Sequence, residues 1–441
     1  MELESLVRQN PWWVEKEGIE KDEDIKRWEE GRIKWIPSLI DEISLKPFSL
    51  NFVFGPRQVG KTTLLKLLIR NLLSRGVEGE RIFYFKCDKL ADYKELDEVL
   101  KAYFEFRKSK GVSGSFIFLD EIIFPTEWFR TIKYYIDMGE FKKDVLILTG
   151  SLSMYLKKEV ELFPGRRGFG KDFVMLPLSF REFIKVFSPE LYEKLPKIEK
   201  LEKNEIFSKL YAAMPFFDEI QKLFEKYIAI GGFPLAVKNE NITESVKETY
   251  WSWIKNDIAK IGRSEETLKR VAKAIIEKTP SAISLNSIAK EFEIGTHKTV
   301  FEYLDIMEKL YIIKILYYFD LHKTIMSFKK NRKVYLIDPF FFHLFADICF
   351  SKIPDESIII ENIVGFHLAR KYDVFYWKNK QEIDVIVRSE DLNGFEVKWK
   401  EKVGDYSQLR IGKLRNVFCL TKDEINKDKN ILPTSLFLSL I

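Results

Sequence analysis

The segment from 55 to 62, Gly-Pro-Arg-Gln-Val-Gly-Lys-Thr, constrains the fold more than any other part of this 441-residue chain. It matches the pattern G-x-x-x-x-G-K-[ST], follows an apolar run that predicts a strand, and precedes an amphipathic helical pattern. The glycines let backbone N–H groups turn towards phosphate oxygens at the positive end of a helix. The residues predicted to bind a nucleotide are Gly55, Pro56, Arg57, Gln58, Val59, Gly60, Lys61, Thr62 and Thr63.

An acidic pair, Asp120 and Glu121, follows the apolar residues 116–119. We expect Asp120 to emerge at the carboxyl end of a buried parallel strand, where α/β sheets bind ligands. There it would hold Mg²⁺ together with the Thr62 hydroxyl, while Lys61 would neutralise the β- and γ-phosphates. Glu121 would orient and deprotonate the attacking water. The chain is therefore predicted to hydrolyse a nucleotide as well as bind it.

Short apolar runs alternate with helical patterns, which predicts an α/β fold with a parallel sheet. The runs are 48–55, 81–88, 115–122, 145–151 and 173–178. The acidic pair lies on the third run, not the second, which indicates the additional-strand type of P-loop ATPase core. The run 145–151 is then predicted to insert between the first and third strands. Thr149 or Ser151 would sense phosphate at its polar end, or would simply cap the strand with a hydroxyl.

A Gly-flanked arginine pair, Arg166 and Arg167, lies on a predicted loop. A guanidinium can stabilise charge in a phosphoryl-transfer transition state, from the same subunit or from a neighbour in a homo-oligomer. The alternative is a surface loop with two solvated arginines. The guanine-specifying pattern Asn-Lys-x-Asp is missing from the sequence, which favours ATP and ADP as ligands.

The formal net charge of +5 permits contact with nucleic acid but does not argue for it. The three cysteines have no metal-type spacing and indicate a reducing compartment. No stretch approaches the roughly 20 apolar residues needed to cross a bilayer. We therefore expect a cytoplasmic protein without a membrane partner.

Residues 264–320 show three helical stripes followed by a strand-like run, which predicts a winged helix. The predicted recognition helix begins at 296–299, where polar side chains could meet phosphates or base edges. Further on it carries Glu302, Asp305 and Glu308, which DNA would repel. Both DNA and a protein partner remain open for this helix.

Six motifs in this order resemble one group, the archaeal and bacterial AAA-type ATPases with a DUF4143 C-terminal region. They are 10–13 (NPWW), 55–63, 148–151 (LTGS), 164–168 (PGRRG), 177–183 (PLSFREF) and 231–234 (GGFP). The resemblance implies an ATPase core with a helical lid, a winged helix and a C-terminal α/β region similar to restriction endonucleases. The expected domains are an N-terminal helical extension 1–45, the core 46–187, the lid 188–262, the winged helix 263–340 and the nuclease-like region 341–441.

The C-terminal region offers Glu361 on a predicted helix and Asp384, Glu396 and Lys398 on predicted strands. Glu396 and Lys398 are two residues apart and share one face of a strand, and Asp384 lies across a turn from them. This looks like the PD-(D/E)xK nuclease arrangement. In it Asp384 and Glu396 bind a metal ion, Lys398 positions the nucleophile, and Glu361 is an outer ligand. Metal binding without cutting is the competing interpretation.

Two functions follow from these patterns. The first is a Mg²⁺-dependent ATPase that acts on DNA through its winged helix and nuclease-like region. The second is a nucleotide-gated switch, in which the winged helix recognises a protein partner and the nuclease-like region is inactive.

Overall fold

The computed structural model describes residues 3–151, 163–379, 381–400, 403–407, 409 and 411–441. Contacts within the chain divide it into two compact units, Met1–Leu176 and Pro177–Ile441. The expected boundary at 45/46 falls inside the first unit, and those at 187/188, 262/263 and 340/341 fall inside the second. Among the described residues, no helix has the length and apolar character needed to span a membrane.

The first unit is built on a five-stranded parallel sheet with the strand order β2-β3-β4-β1-β5. Its strands are β1 Ser49–Phe54, β2 Ile82–Lys86, β3 Phe116–Asp120, β4 Val145–Thr149 and β5 Asp172–Val174. Its described helices are α1 Leu3–Gln9, α2 Glu23–Glu29, α3 Lys61–Ser74, α4 Tyr93–Ser109 and α5 Phe129–Met138. Strands β1 and β4 are buried at every position, as expected for central parallel strands. Strand β4 lies between β1 and β3, so the predicted insertion of an additional strand is confirmed.

Strand β2 is an edge of this sheet, and side chains from the N-terminal extension cover its free backbone groups. The Asn10 side chain donates to the Tyr84 carbonyl at 2.9 Å and accepts from the Tyr84 N–H at 2.7 Å. The indole N–H groups of Trp12 and Trp13 both donate to the Ile82 carbonyl at 2.9 Å. The NPWW motif therefore satisfies, with side chains, an edge that another strand would otherwise pair.

We predict that Asn10→Ala lowers the free energy of unfolding by about 2–4 kcal/mol, because it leaves the buried Tyr84 backbone groups unpaired. Urea denaturation followed by tryptophan fluorescence measures this loss. The matched control is Asn71→Ala on the exposed face of α3, for which we expect a change within about 0.5 kcal/mol. Equal stabilities for the two variants would contradict the role given to Asn10.

The second unit contains a mixed seven-stranded sheet with the order β12-β11-β10-β9-β8-β6-β7. Its strands are β6 Ile313–Asp320, β7 Ile325–Leu336, β8 Asp373–Lys378, β9 Glu382–Arg388, β10 Leu392–Val397, β11 Asn416–Thr421 and β12 Ile431–Pro433. The helices before β6 are α6 Phe180–Phe187, α7 Pro189–Lys194, α8 Lys203–Ala213, α9 Phe217–Ile230, α10 Pro234–Asn239, α11 Glu244–Lys260, α12 Glu265–Lys278, α13 Leu285–Glu291 and α14 His297–Lys309. Those after it are α15 Phe340–Ile348, α16 Glu356–Ala369 and α17 Thr434–Leu440.

Helices α12, α13 and α14 precede the antiparallel hairpin β6–β7, in the order that the sequence predicts for a winged helix. The hairpin belongs to the large sheet, because Tyr318 of β6 pairs in parallel with Tyr376 of β8. The expected boundary at 340/341 therefore separates strands of one sheet.

Two of the sequence motifs hold the ends of helices in the second unit. In the GGFP motif, Gly231 has a φ of +74° and ends α9, and the Gly232 N–H donates to the buried Asp338 carboxylate at 2.8 Å. In the PLSFREF motif, Ser179 and Glu182 form a capping box at the start of α6. Arg181 donates to the Ser439 carbonyl at 2.7 Å, which ties this helix to the end of the chain. These motifs hold helices together within the second unit.

Candidate functional site

The predicted phosphate-binding loop connects β1 to α3. Gly55 has a φ of +149°, and a Cβ there would lie 2.2 Å from the Met175 carbonyl oxygen, so only glycine fits. Gly60 has a φ of +99° immediately before α3 begins at Lys61. The loop therefore presents its backbone at a helix N-terminus, which is the arrangement that accepts phosphate oxygens.

The last two side chains of the loop, Lys61 and Thr62, each donate hydrogen bonds within the site. The Lys61 ammonium donates to the carbonyl oxygens of Gly55 at 3.0 Å and Pro56 at 2.8 Å, and the residue is 5% exposed. The Thr62 hydroxyl donates to Asp120 at 2.7 Å. The structure thus brings together the loop and the acidic strand end that the sequence predicts as one site.

Asp120 is fully buried at the carboxyl end of β3, and hydroxyl groups from three elements donate to it. These are Thr62 of α3, Tyr84 of β2 at 3.1 Å, and Thr149 of β4. Burial, followed by the charge of Asp120, raises the pKa of Tyr84 well above its usual value, so this hydroxyl remains a donor. The carboxylate is therefore held in one orientation.

Glu121 adopts a left-handed conformation, with a φ of +53°, where the chain leaves β3. Its N–H donates to the Thr149 hydroxyl at 3.1 Å. Its carboxylate accepts hydrogen bonds from the Ser151 N–H at 3.3 Å and from the Ser151 hydroxyl. The left-handed turn is disfavoured for a non-glycine residue and is retained here by these contacts. Thr149 and Ser151 thus lie against the two acids, and the phosphate-sensing role of either residue stays a prediction.

The sequence did not reveal two residues that support this site, Tyr84 and Lys66. The Lys66 ammonium is buried 2.9 Å from Asp22 and lies 3.4 Å from the centre of the Tyr84 ring. Burial lowers the pKa of Lys66, and Asp22 opposes that effect. One signal was present in the sequence: Lys66 is a charged residue inside the run of leucines that forms α3.

The arginine pair lies near the opposite end of the sheet from the phosphate-binding loop. The Arg167 carbonyl accepts a hydrogen bond from the N–H of Leu50, near the start of β1. Five residues of strand, about 16 Å, separate Leu50 from Gly55. Arg166 makes a bidentate contact with Asp137 at 2.8 and 3.2 Å, and Arg167 pairs with Asp172. These ion pairs hold both guanidinium groups away from the loop of their own subunit, and a role on phosphate, from the same subunit or from a neighbour, stays a prediction.

A second cluster of charged groups lies in the C-terminal sheet, around Lys333 of β7. The Lys333 ammonium is 2.9 Å from Glu361, 2.8 Å from Glu382 and 3.0 Å from Asp384, with its side chain 1% exposed. The Tyr335 hydroxyl donates to Glu361 at 2.7 Å. A lysine cation therefore lies between two of the predicted carboxylates, Glu361 and Asp384, together with Glu382, which the sequence analysis did not single out.

The predicted nuclease-like residues form two contact groups that both involve Asp384. Glu361 and Asp384 share the Lys333 ammonium. Asp384 also accepts from the Val397 N–H at 3.0 Å, and its charge acts on Glu396 and Lys398, which pair with each other at 2.8 Å. Within the residues that the structure describes, no group of three or more His, Cys, Asp or Glu side chains is arranged to hold a metal ion. Lys333 was missed because a lysine on a strand is ordinarily exposed.

The pKa values of Glu361 and Glu382, the two acids nearest Lys333, are shifted in opposite directions. Burial, followed by the charge of Asp384, raises the pKa of Glu361 to about 7. Burial acts in the same direction on Glu382, but the contact with Lys333 outweighs it and lowers the pKa of that carboxyl. For Lys333, burial acts to lower the pKa, yet Tyr335, Asp384 and Glu361 raise it well above its usual value. The ammonium is therefore charged throughout the neutral range.

A pH dependence follows from Glu361. Because its pKa is higher in the folded state, its stabilising contribution is complete below about pH 4.5 and is lost as the pH rises towards about 7. Glu361→Gln removes this titration. Its free energy of unfolding relative to wild type should rise by about 2 kcal/mol between about pH 5.5 and pH 8.

The matched control is Glu382→Gln, since Glu382 is ionised across this range. Its stability relative to wild type should differ little between the two pH values, whatever its absolute loss. Urea denaturation at both pH values measures the two differences. Parallel behaviour of the two variants would contradict the raised pKa of Glu361.

Comparison with family models supports the interpretation of the first unit. Residues 48–184 match an AAA domain (AAA_14), and residues 221–349 match a domain of unknown function, DUF8612. The fold and the site define an AAA-type P-loop ATPase domain in the first unit. The second match falls in the region where the resemblance implied DUF4143, so that part of the expectation is replaced by DUF8612.

Two curated relatives come from Methanocaldococcus jannaschii. The uncharacterized protein MJ1544 is 26% identical over 376 residues, which cover 81% of this chain and 76% of the relative. The uncharacterized protein MJ1637 is 27% identical over 362 residues, which cover 77% and 73%. Among solved structures, the Walker-type ATPase paby2304 of Pyrococcus abyssi is 15% identical, with 74% of this chain and 95% of that chain covered and a TM-score of 0.37. That structural likeness is too distant to carry an argument.

Proposed function

We propose that this chain binds and hydrolyses ATP at the loop 55–62 and that Mg²⁺ is required. The observation that carries the proposal is the contact of Thr62 with the buried Asp120 at 2.7 Å, because it joins the two halves of a phosphate- and magnesium-binding site. The residues fit the ion: Thr62 and Asp120 supply the oxygen donors that Mg²⁺ prefers. Bound there, Mg²⁺ would neutralise charge on the β- and γ-phosphates.

The residues of the site divide the remaining work. Lys61 exchanges its two loop carbonyls for phosphate oxygens when the nucleotide binds, so the cation is already in place before binding. Glu121 takes the proton of the attacking water, and Ser151 holds its carboxylate in position. The Thr149 hydroxyl donates to the Asp120 carboxylate and accepts from the Glu121 N–H, so it positions both acids and lies beside the γ-phosphate. Arg166 and Arg167 act, in this proposal, on the site of a neighbouring subunit in a homo-oligomer.

Two substitutions separate binding from hydrolysis. We expect Lys61→Ala to lose nucleotide binding and hydrolysis together, because the phosphate charge is no longer neutralised. Glu121→Gln should retain binding and lose about 100- to 10,000-fold in kcat, because the general base is removed. Phosphate release measures hydrolysis, and thermal stabilisation by ATP measures binding. The matched controls are Lys101→Ala and Glu105→Gln on the exposed face of α4, which should behave like the wild type. An equal kcat for the wild type and Glu121→Gln would overturn the mechanism.

We propose further that the protein acts on DNA as a nucleotide-dependent binding protein and that its nuclease-like region does not cut. A basic segment supports the DNA contact: residues 322–332 contain four Lys or Arg and no Asp or Glu. The Lys333 ammonium supports the absence of cutting, since it occupies the position between Glu361 and Asp384. Recognition of a protein partner through the winged helix is the alternative for the same surface.

The cleavage assay tests the second part of this proposal. Supercoiled plasmid incubated with the wild-type protein and Mg²⁺ or Mn²⁺ should stay intact with and without ATP, because the lysine cation excludes a divalent ion from the carboxylates. Agarose electrophoresis gives the result. The Asp384→Asn variant, prepared identically, controls for contaminating nuclease. Cutting by the wild type that disappears in Asp384→Asn would show an active metal site.

A further inference from the structure

A cleft in the second unit lies between the first turn of α14 and the hairpin β6–β7. Its volume is about 540 Å³, within the roughly 300–1,000 Å³ typical of ligand pockets. The aromatic side chains of Phe301, Tyr317 and Phe328 line it, together with the cationic side chains of Lys298 and Arg332. This cleft faces away from the carboxylates around Lys333, since consecutive residues of β7 point to opposite faces of the sheet.

Arg332 is the least exposed of the cationic groups, at 8% of its surface. Its backbone is fixed on both sides, by pairing with Tyr317 in β6 and with Ile283. Its Nη2 donates to the Phe328 carbonyl at 3.3 Å, while Nε and Nη1 are buried and find no acceptor among the described residues. Its guanidinium lies 5.1 Å from the Phe301 ring centre and 5.5 Å from that of Tyr317. Buried donors without acceptors are rare, so this guanidinium indicates an anionic ligand.

The charge of the surroundings favours the same ligand. The segment that forms one wall, 322–332, carries four cations and no acid. One acid, Glu302, lines the cleft, and Arg263 neutralises it with an ion pair at 3.1 Å. Lys298 lies in the first turn of α14, where the helix dipole adds positive potential. The cleft is therefore electropositive.

Two of the aromatic side chains in the cleft, Phe328 and Phe301, are exposed to solvent and are not part of the hydrophobic core. Phe328 is 63% exposed and Phe301 40% exposed. The Phe328 ring packs edge-on against Tyr317, with 5.1 Å between ring centres, so its face is presented in a fixed orientation. Exposed aromatic faces beside cations bind the bases of single-stranded nucleic acid by stacking. Bases within a duplex are already stacked and cannot reach such a face.

We propose that this cleft binds an unpaired nucleotide of single-stranded DNA. The base stacks on Phe328, and the adjacent phosphate is bound by Lys298 and, once the Phe301 ring turns aside, by Arg332. The proposal rests on the DNA contact of the proposed function and names the form of DNA. Acidic residues on the later turns of α14, such as Asp305, disfavour a duplex laid along that helix.

Fluorescence anisotropy with the full-length protein tests this assignment. The probes are fluorescein-labelled oligo(dT) of about 20 nucleotides, a duplex of equal length and the corresponding oligo(rU). We expect oligo(dT) to bind more tightly than the duplex and the RNA. Phe328→Ala should weaken oligo(dT) binding about tenfold. Arg332→Gln should weaken it and lower the slope of log Kd against log salt by about 0.7.

Matched controls are Phe350→Ala, an exposed phenylalanine outside the cleft, and Arg388→Gln, an exposed arginine on β9. Both should bind oligo(dT) like the wild type, and melting curves check that every variant is folded. Tighter binding of the duplex, with Phe328→Ala unchanged, would overturn this inference and leave the DNA-binding function intact. If oligo(rU) binds more tightly than oligo(dT), the cleft binds RNA and the assignment of single-stranded DNA is overturned. Absence of binding to every probe, with ATP hydrolysis retained, would overturn both the inference and the DNA contact.

Discussion

The buried carboxylate of Asp120 fixes the arrangement of the nucleotide site. A charge without solvent is tolerated only when donors from the protein satisfy it. The hydroxyls of Thr62, Tyr84 and Thr149 come from a helix and two neighbouring strands, so the need of one side chain sets the spacing of three elements. The geometry of the site therefore depends on the backbone ladders that hold these elements at that spacing.

This requirement extends to the N-terminal segment. The buried ammonium of Lys66 lies against the Tyr84 ring. Asp22, which precedes the first strand in sequence, neutralises that ammonium with an ion pair. Asn10 binds both backbone groups of Tyr84 from the opposite side. The expected helical extension is therefore part of the compact first unit and supports the position of Asp120 through one tyrosine.

The fold of the first unit could be predicted because its signals are local. The loop 55–62 is a continuous motif, and the position of Asp120 on the third apolar run already implied an inserted strand. The contact between Tyr84 and Asn10 could not be predicted, since it joins residues 74 apart in sequence and the NPWW motif gives no indication of its partner. The position of Arg166 along the sheet could not be predicted for a related reason: a glycine-flanked loop gives no indication of the end of the sheet at which it lies.

The C-terminal site shows a different limit of sequence reasoning. Glu361 and Asp384 were identified correctly as acids that approach each other, but the identity of the cation between them was not. A metal ion leaves the same pattern of carboxylates as a buried lysine, and the lysine lies 28 residues before Glu361 and 51 before Asp384. Only the packing of β7 against α16 and β9 distinguishes the two.

The covering of strand β2 limits how copies of this protein can assemble. Because Asn10, Trp12 and Trp13 occupy the outward N–H and C=O groups of that strand, another chain cannot extend the sheet there without displacing them. The homo-oligomer proposed above, in which Arg166 of one subunit meets the nucleotide of the next, cannot use the β2 edge while these side chains stay in place. Association and separation of its subunits would then leave the hydrogen bonds of that strand intact.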